Sequence, residues 1–258
     1  CARCRWLDHC SAEWEASDDL SLVAGLRGDQ RRTLIEAGVT TVAALAAADP
    51  DDLPRSMSGR VRRRLVSQAA LQVQERETGA TAYQLLPPEE GRGLQLLPEP
   101  DAGDVYLDFE GDPFADDGRG REYLAGVWTR DGQFLDWWAH DFAEEGRLTE
   151  ELLTWLVERW RQHPGMHVYH YAAYEVTALK RMTMQHATAE SELDQLLRGE
   201  RFVDLYQVVR QGLLLSKSSY SIKKVEDFYW GEQRSAQEGE VADGMASVVE
   251  YERWLADG

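Results

Sequence analysis

Two acids stand one residue apart in the apolar run VYLDFEGDPF, residues 105–114. If this run is a β-strand, its side chains alternate between two faces, so Asp108 and Glu110 share one face. Neighbouring carboxylates repel each other and resist the loss of water unless a cation or a proton lies between them. The spacing therefore predicts a cation or proton site. The alternative is the solvated face of an edge strand, where such a pair needs neither.

A third candidate acid, Glu175, lies in HVYHYAAYEVTALKRM, residues 167–182. There a predicted strand ends, two alanines turn the chain, and Glu175 stands at the start of a predicted helix. We expect its carboxylate to project toward the strand ends, where Asp108 and Glu110 also lie. The alternative is an ordinary first-turn acid favoured by the helix dipole.

Three such carboxylates are typical of a two-metal site. Two divalent ions about 3.5–4 Å apart can activate a water and stabilise the leaving oxygen of a phosphodiester. Hard oxygen ligands select Mg²⁺ or Mn²⁺ over zinc. The acids therefore predict metal-dependent phosphodiester chemistry.

The segments around these acids predict a mixed α/β sheet with helices packed on it. A hairpin turns around residues 130–132, and Thr149 is expected to cap an amphipathic helix. Asp204 is expected to cap the helix that follows it. Strands are predicted at 104–111, 121–129, 133–141 and 166–171, and a helix from 174 to about 184.

The part of the chain before this sheet reads as a small helical region, residues 16–80. Asp29 is expected to cap one helix, Thr40 or Thr41 to start a second, and a third runs from about residue 59 to 77. Residues 83–104 contain four prolines and three glycines, so 81–103 is predicted to be a linker. The α/β domain would then occupy residues 104–258.

Composition narrows the class of protein. The 258 residues are 43% hydrophobic, as expected of a globular chain, and the net charge of −18 argues against coating nucleic acid by bulk attraction. No apolar run is long enough for a membrane span, so a cytoplasmic location is expected and no membrane partner. The chain starts at a cysteine and stops in mid-pattern, so we expect an excerpt of a longer protein. Composition leaves the oligomeric state open.

All three cysteines lie in the first ten residues, CARCRWLDHC, as Cys1, Cys4 and Cys10. Disulfides are not expected in a cytosolic chain. A zinc site with His9 as a fourth ligand is one interpretation of the cluster.

The acidic segments resemble a known family. VYLDFEG resembles the first motif, Asp-x-Glu, of the DEDD 3′→5′ exonucleases of the ribonuclease H-like superfamily. YHYAAYEVTALKRM resembles their second motif, with Glu175 in the place of its usual aspartate. RFVDLYQVVRQGLLLSKSSYSIKKVE is similar to the segment before the third motif in exonuclease domains of family B polymerases. The order of segments most resembles a YprB-type ribonuclease H-like exonuclease domain.

This resemblance implies a ribonuclease H-like fold and 3′→5′ hydrolysis of DNA, as single strands or ends, with Asp108, Glu110 and Glu175 as catalytic metal ligands. The family's third motif, a Tyr or His followed by an Asp on a late helix, has no match, because position 255 after Tyr251 is leucine. We expect it beyond residue 258. The alternative is a catalytically inactive module that binds or positions nucleic acid beside a helicase.

The cysteine spacing, Cys1-x2-Cys4-x5-Cys10, resembles the iron–sulphur staple that closes RecB-like nuclease domains. It implies a 4Fe–4S cluster whose fourth cysteine lies upstream, with residues 1–15 as the end of such a domain. The overall order resembles RecB-like nucleases that carry a helicase on the same chain.

Basic residues offer weaker candidates for contact with DNA. Residues 25–45 resemble a helix-hairpin-helix, a module that holds DNA phosphates. Lys223, Arg62 and Arg63 are candidate substrate contacts. A solvated surface is the alternative for each of the three.

Overall fold

The secondary structure comes from a computed structural model, which describes residues 5–229 and 244–257. The helices are α1 Leu7–Ala16, α2 Gly28–Glu36, α3 Val42–Ala46, α4 Gly59–Thr78, α5 Ala115–Gly118, α6 Phe142–Gln162, α7 Tyr174–His186, α8 Glu190–Arg198, α9 Leu205–Gly212, α10 Ile222–Val225 and α11 Gly244–Asp257. The strands are β1 Tyr83–Leu85, β2 Val105–Asp112, β3 Arg121–Thr129, β4 Phe134–Trp138, β5 Val168–His170, β6 Phe202–Asp204 and β7 Leu213–Leu215. Short 3-10 helices span Leu20–Leu22, Gly93–Leu96 and Glu226–Phe228.

The described residues fall into two units. The first unit contains residues 5–89 and 209–229, and the second contains residues 90–208 and 244–257. The first is mainly helical, with a core of apolar side chains from α2, α3, α4 and the turns between them. Its two strands, β1 and β7, pair antiparallel, with Tyr83 opposite Leu215.

The predicted linker, residues 81–103, contains both β1 and a 3-10 helix. The chain also returns to the first unit within α9, at Val209, so neither unit is one continuous stretch of chain. The domain boundaries predicted at residues 15, 80 and 103 stay predictions. No helix among the described residues is both long and apolar enough to cross a membrane.

Of the two helix caps predicted in the first unit, one is present. The hydroxyl of Thr41 accepts a hydrogen bond from the backbone N–H of Ala44, as predicted for the start of α3. The predicted cap at Asp29 is wrong, because α2 begins at Gly28 and Asp29 lies in its first turn. There its carboxylate pairs with the guanidinium of Arg27 at 2.8 Å.

The second unit is built on a five-stranded sheet in the order β4-β3-β2-β5-β6. The central strand β2 is antiparallel to β3 and parallel to β5, and β5 is parallel to β6. Helices pack on this sheet, which confirms the predicted mixed α/β architecture with a helical region before it.

The alternation of β2 separates the core from the acids. Val105, Leu107 and Phe109 are buried in a core formed with apolar side chains of α6, α7 and α8. Asp108 and Glu110 lie on the opposite face. Helices α6, α7 and α8 therefore cover one face of β2, and the two acids of this strand lie on the other face.

A β-bulge changes the direction of side chains at the start of β3. Glu110 pairs with Leu124 and the next residue of β2, Gly111, pairs with Glu122, so Tyr123 has no partner in the register. Tyr123 packs against Tyr251 of α11, with 3.9 Å between ring centroids. The bulge therefore gives α11 an aromatic contact with the sheet.

Two caps predicted in the second unit have different outcomes. Asp204 caps α9, because its Oδ1 accepts from the backbone N–H of Tyr206 at 2.9 Å, which confirms that prediction. The predicted cap at Thr149 is wrong, since α6 begins seven residues earlier, at Phe142. Asp141 caps it by accepting from the N–H of Glu144 at 2.8 Å.

Candidate active site

The parallel pairing of β2 with β5 brings three predicted acids to one end of the sheet. Val105 of β2 pairs with Val168 of β5, so both strands run toward the same sheet edge. Asp108 and Glu110 lie on the second half of β2. Glu175 lies in the first turn of α7, which follows β5 after a three-residue turn. We call Asp108, Glu110 and Glu175 the open cluster.

Asp108 experiences the negative charge of both other acids. Its pKa is raised from 3.8 to about 6, first because surrounding protein atoms limit its hydration, then by the charges of Glu175 and Glu110 in that order. Solvent still reaches its side chain. One carboxyl oxygen accepts a hydrogen bond from the backbone N–H of Phe109 at 3.1 Å. Ionisation of Asp108 is therefore opposed by both of its acidic neighbours.

Glu175 is a buried acid with an incompletely paired carboxylate. Its residue is 4% exposed, and its Oε2 has no hydrogen-bond partner. Nδ1 of His170 lies 3.3 Å from that oxygen, while the same nitrogen is 2.6 Å from the carbonyl oxygen of Ala172. When Nδ1 is protonated it donates to that carbonyl, which leaves the Glu175 oxygen unpaired. A buried, unpaired carboxylate oxygen is costly unless a ligand completes it.

The turn between β5 and α7 fixes where Glu175 lies. Ala172 has φ of 74°, a left-handed conformation that costs a residue with a Cβ of the order of 1 kcal/mol. The Asp204 carboxylate accepts from the N–H of Ala172 at 2.9 Å, and His170 contacts its carbonyl. Hydrogen bonds to both the N–H and the carbonyl of Ala172 therefore hold the strained turn in place.

A second group of buried acids lies between β3, α6 and α7, and we call it the anchored cluster. Glu122 and Glu145 both accept from Nη2 of Arg181, at 2.9 and 3.1 Å. Nε2 of His186 lies 2.7 Å from the other oxygen of Glu145, and the hydroxyl of Tyr174 donates to Glu122. Arg181, Tyr174 and His186 all belong to α7, so this cluster fastens the helix that carries Glu175.

Gly111 lies where β2 passes the anchored cluster. A Cβ at this position would collide with the carboxylate of Glu122. Only glycine lets the backbone approach this closely while Glu122 keeps its hydrogen bonds.

The donor chemistry of the open cluster suits a hard divalent cation. All three side chains offer carboxylate oxygens, one of them buried and unpaired, and none forms an ion pair with a described Lys or Arg. Within residues 5–229 and 244–257, however, no group of three or more His, Cys, Asp or Glu is arranged to hold a metal ion. A cation would have to draw these carboxylates closer together against their repulsion.

Of the other predicted ligands and contacts, those that the structure describes lie in the first unit: Cys10, Arg62, Arg63 and Lys223. Cys1 and Cys4 fall outside the described residues, so the iron–sulphur cluster and its zinc alternative stay predictions. Cys10 is a half-buried free thiol within α1.

The candidate DNA contacts differ in accessibility. Arg62 is only 12% exposed, and its guanidinium donates to the carbonyl of Leu53 at 2.9 Å, so it fastens the preceding loop. Arg63 and Lys223 are exposed. Of the three, Arg62 is the poorest candidate for a phosphate contact.

Sequence reasoning missed three residues that support the open cluster. His170 was not predicted as a site residue, yet its Nδ1 lies 3.3 Å from Oε2 of Glu175. Asp204 was expected only as a cap, yet it also holds the turn at Ala172. Arg181 carried no signal at all, because its partners are 36 and 59 residues away in sequence.

Tyr251, the residue nearest to a third motif, has a structural role. It is buried, its hydroxyl donates to the carbonyl of Ala139 at 3.3 Å, and Nδ1 of His140 lies 2.9 Å from that hydroxyl. The sequence lacks an acid four residues later, where Leu255 stands.

Comparison with known proteins supports the coarse assignment. The family model RNase_H_2, of the RNase_H superfamily, matches residues 105–258, more than half of the chain. No curated protein and no solved structure matches the chain. Domains of this superfamily act in nucleic-acid processing and are often phosphodiester hydrolases. The mixed sheet, the acids on its central strand and this match together assign the chain to the RNase_H superfamily.

Proposed function

We propose that the second unit is a metal-dependent nuclease that hydrolyses phosphodiester bonds of DNA. One observation carries the proposal: on Asp108, the charges of Glu175 and Glu110 act together with reduced hydration, and no described Lys or Arg pairs with any of the three. Carboxylates brought together in this way, in a domain of a nucleic-acid-processing superfamily, favour a function that uses external cations.

Asp108 and Glu175 have distinct parts in this proposal, and Glu110 completes the set of metal ligands. Asp108 binds cations as a carboxylate, and its pKa of about 6 means that it is mostly ionised above that pH. Glu175 offers its unpaired Oε2, while His170 and the turn at Ala172 limit its movement. Mg²⁺ or Mn²⁺ held here would supply a water of lowered pKa and stabilise the leaving oxygen.

The finer parts of the proposal concern substrate and context. We infer a 3′→5′ direction on single strands or ends, from the resemblance of the first two motifs to DEDD exonucleases. From the resemblance to RecB-like nucleases we also infer a helicase domain on the same full-length chain and a 4Fe–4S cluster at Cys1, Cys4 and Cys10. A cytoplasmic location stays a proposal from composition.

A second candidate function is an inactive module that positions nucleic acid. The absence of a ready three-ligand group among the described residues favours it, as does the leucine at position 255. The two candidates make opposite predictions about metal binding at Asp108.

The test measures digestion of 5′-labelled single-stranded DNA with Mn²⁺, alongside Mn²⁺ binding by titration calorimetry. The nuclease proposal expects digestion and Mn²⁺ binding, both lost in Asp108→Asn and in Glu175→Gln. The control Asp194→Asn makes the same chemical change on α8, which packs on the other face of the sheet, and should keep both. Digestion that persists in Asp108→Asn contradicts the proposed site. If the unaltered chain shows neither digestion nor Mn²⁺ binding that depends on Asp108, the nuclease proposal is contradicted and the inactive module is supported.

A further inference from the structure

An exposed row of aromatic side chains crosses the sheet on the face that carries Asp108. Tyr106 of β2 pairs with Trp128 of β3, and Trp128 pairs with Phe134 of β4, so the three residues stand side by side. They are 44%, 50% and 57% exposed. The Trp128 and Phe134 rings are 6.2 Å apart at their centroids. We call these three residues the aromatic row.

The aromatic row is adjacent to the open cluster. Tyr106 lies two residues before Asp108, hence on the same face of β2. Phe134 leans over Gly126, where a Cβ would lie 3.3 Å from its ring, and Gly126 is the direct partner of Asp108. Anything that lies along the row therefore has one end beside Asp108.

The aromatic row occupies a strand surface on which polar side chains are the usual residues. A strand with one face in the core normally shows polar residues on the other. Tyr106 is also supported from the side, because the buried Tyr169, its register partner on β5, stacks on it with 5.4 Å between ring centroids. These flat rings, held side by side on a rigid sheet, offer surfaces for stacking.

The charge of this face decides which part of a nucleic acid could contact it. The charged side chains nearest the row on this face of β2, β3 and β4 are Asp108, Glu110 and Asp136, all acidic. Farther along the strands, Arg121 is the register partner of Asp112, is only 9% exposed and pairs with Asp116 at 3.5 Å. Arg130, in the hairpin turn after β3, is paired with Asp104 at 3.6 Å. Phosphates would be repelled by such a face, whereas uncharged bases would not.

We propose that the aromatic row is a stacking platform for the bases of single-stranded nucleic acid, DNA or RNA, whose backbone reaches the open cluster. This inference rests on the proposed function, because that function is what brings a nucleic acid to this face. Base–aromatic stacking contributes about 1–3 kcal/mol per base and tolerates any sequence. A duplex would hide its bases from the row, so the platform selects unpaired strands.

The test is equilibrium binding of fluorescent oligonucleotides to the whole chain in EDTA, where no cleavage occurs. The probes are oligothymidylate and oligouridylate of about 12 nucleotides and an abasic strand of the same length. The variant Trp128→Thr/Phe134→Thr keeps residues that favour strands while removing both rings. Trp128→Phe/Phe134→Tyr keeps rings at both positions. Met184→Thr, an exposed apolar residue on α7, is the matched control.

The proposal expects the Thr/Thr variant to weaken binding of both base-carrying probes by about tenfold or more. The ring-keeping variant and Met184→Thr should bind within about twofold of the unaltered chain, and the abasic strand should bind weakly to all of them. Circular dichroism checks that each variant is folded. If the Thr/Thr variant does not fold, the single variant Phe134→Thr takes its place, with a smaller loss expected.

Unchanged affinity in a folded Thr/Thr variant overturns the proposal, as does an abasic strand that binds as well as oligothymidylate. A change in sedimentation mass with unchanged affinity also overturns it, and assigns the row to contact between copies of the chain. Binding that depends on the row without any digestion supports the platform while contradicting the nuclease. Digestion that depends on Asp108 but not on the row does the reverse.

Discussion

The two acidic clusters of the second unit differ in whether a cation of the protein offsets the repulsion between their carboxylates. In the anchored cluster, Arg181 lies between Glu122 and Glu145, and both carboxylates are fully hydrogen-bonded inside the protein. In the open cluster, Asp108 faces two acids without a described Lys or Arg, and an oxygen of Glu175 has no partner. Both clusters touch α7, which shows that one helix can be fastened by a satisfied cluster and present an unsatisfied one.

This difference separates a cluster that stabilises the fold from a cluster that can bind a ligand. Buried acids with an internal cation hold elements together, and removing that cation is strongly destabilising. Acids without one make the folded state less stable and gain most from an added cation. Substitutions in the two clusters should therefore change stability in opposite directions.

Removing the cation of the anchored cluster should have the largest effect. Arg181→Met leaves Glu122 and Glu145 buried without their partner, and we expect a loss of about 3 kcal/mol in the free energy of unfolding. Urea unfolding measures it. The control Arg198→Met removes an exposed ion pair with Asp194 and should cost less than about 1 kcal/mol. Equal losses in both variants would show that the anchored cluster contributes no special stability.

Adding a cation should stabilise the open cluster. At about 100 times its Kd, Mn²⁺ should raise the free energy of unfolding by about 2.7 kcal/mol, since it binds only the folded arrangement of acids. Thermal unfolding with and without Mn²⁺ measures the shift. Asp194→Asn should retain the shift and Glu175→Gln should lose it. A shift that survives in Glu175→Gln would place the cation elsewhere.

Removing the charge of Asp108 should stabilise the metal-free protein. Its raised pKa means that ionisation disfavours the folded state, so stability falls as pH rises from 3.8 through about 6. Asp108→Asn should therefore gain about 1 kcal/mol at pH 7.5 in EDTA, a value reduced for the solvent access of this side chain.

That gain should shrink as pH falls and disappear below pH 3.8, where Asp108 is protonated in both states. Urea unfolding at several pH values follows it. A gain that does not depend on pH would mean that repulsion within the open cluster is not its cause.

Relaxing the turn before Glu175 should have the smallest effect. Ala172→Gly removes the strain of a left-handed alanine but adds freedom to the unfolded chain, so we expect a net gain of about 0.5 kcal/mol. Thermal unfolding measures it. The opposite sign is expected for Ala143→Gly, an exposed position in the first turn of α6. A loss of stability in Ala172→Gly would show that the turn is not strained.

The sequence was informative where a local period or a general rule of sheets applies. Alternation placed Asp108 and Glu110 on one face, and the expected strand-to-helix turn placed Glu175 near them. The sequence failed to predict the start of α6, because the buried apolar stripe begins at Leu148, nearly two turns after the helix does, and the first turns bury the polar Glu145 instead. It also gave no sign of the bulge at Tyr123, since a bulge depends on the register of the partner strand.

The pairing of β1 with β7 has a practical consequence for anyone who dissects this protein. Because the family match begins at residue 105, residues 105–258 are an obvious choice of fragment to express alone. That fragment would keep the two buried leucines of β7, Leu214 and Leu215, while losing the strand to which they are hydrogen-bonded. An unpaired apolar strand edge is a template for aggregation. A fragment with interpretable behaviour should begin before Tyr83 and keep the helices of the first unit.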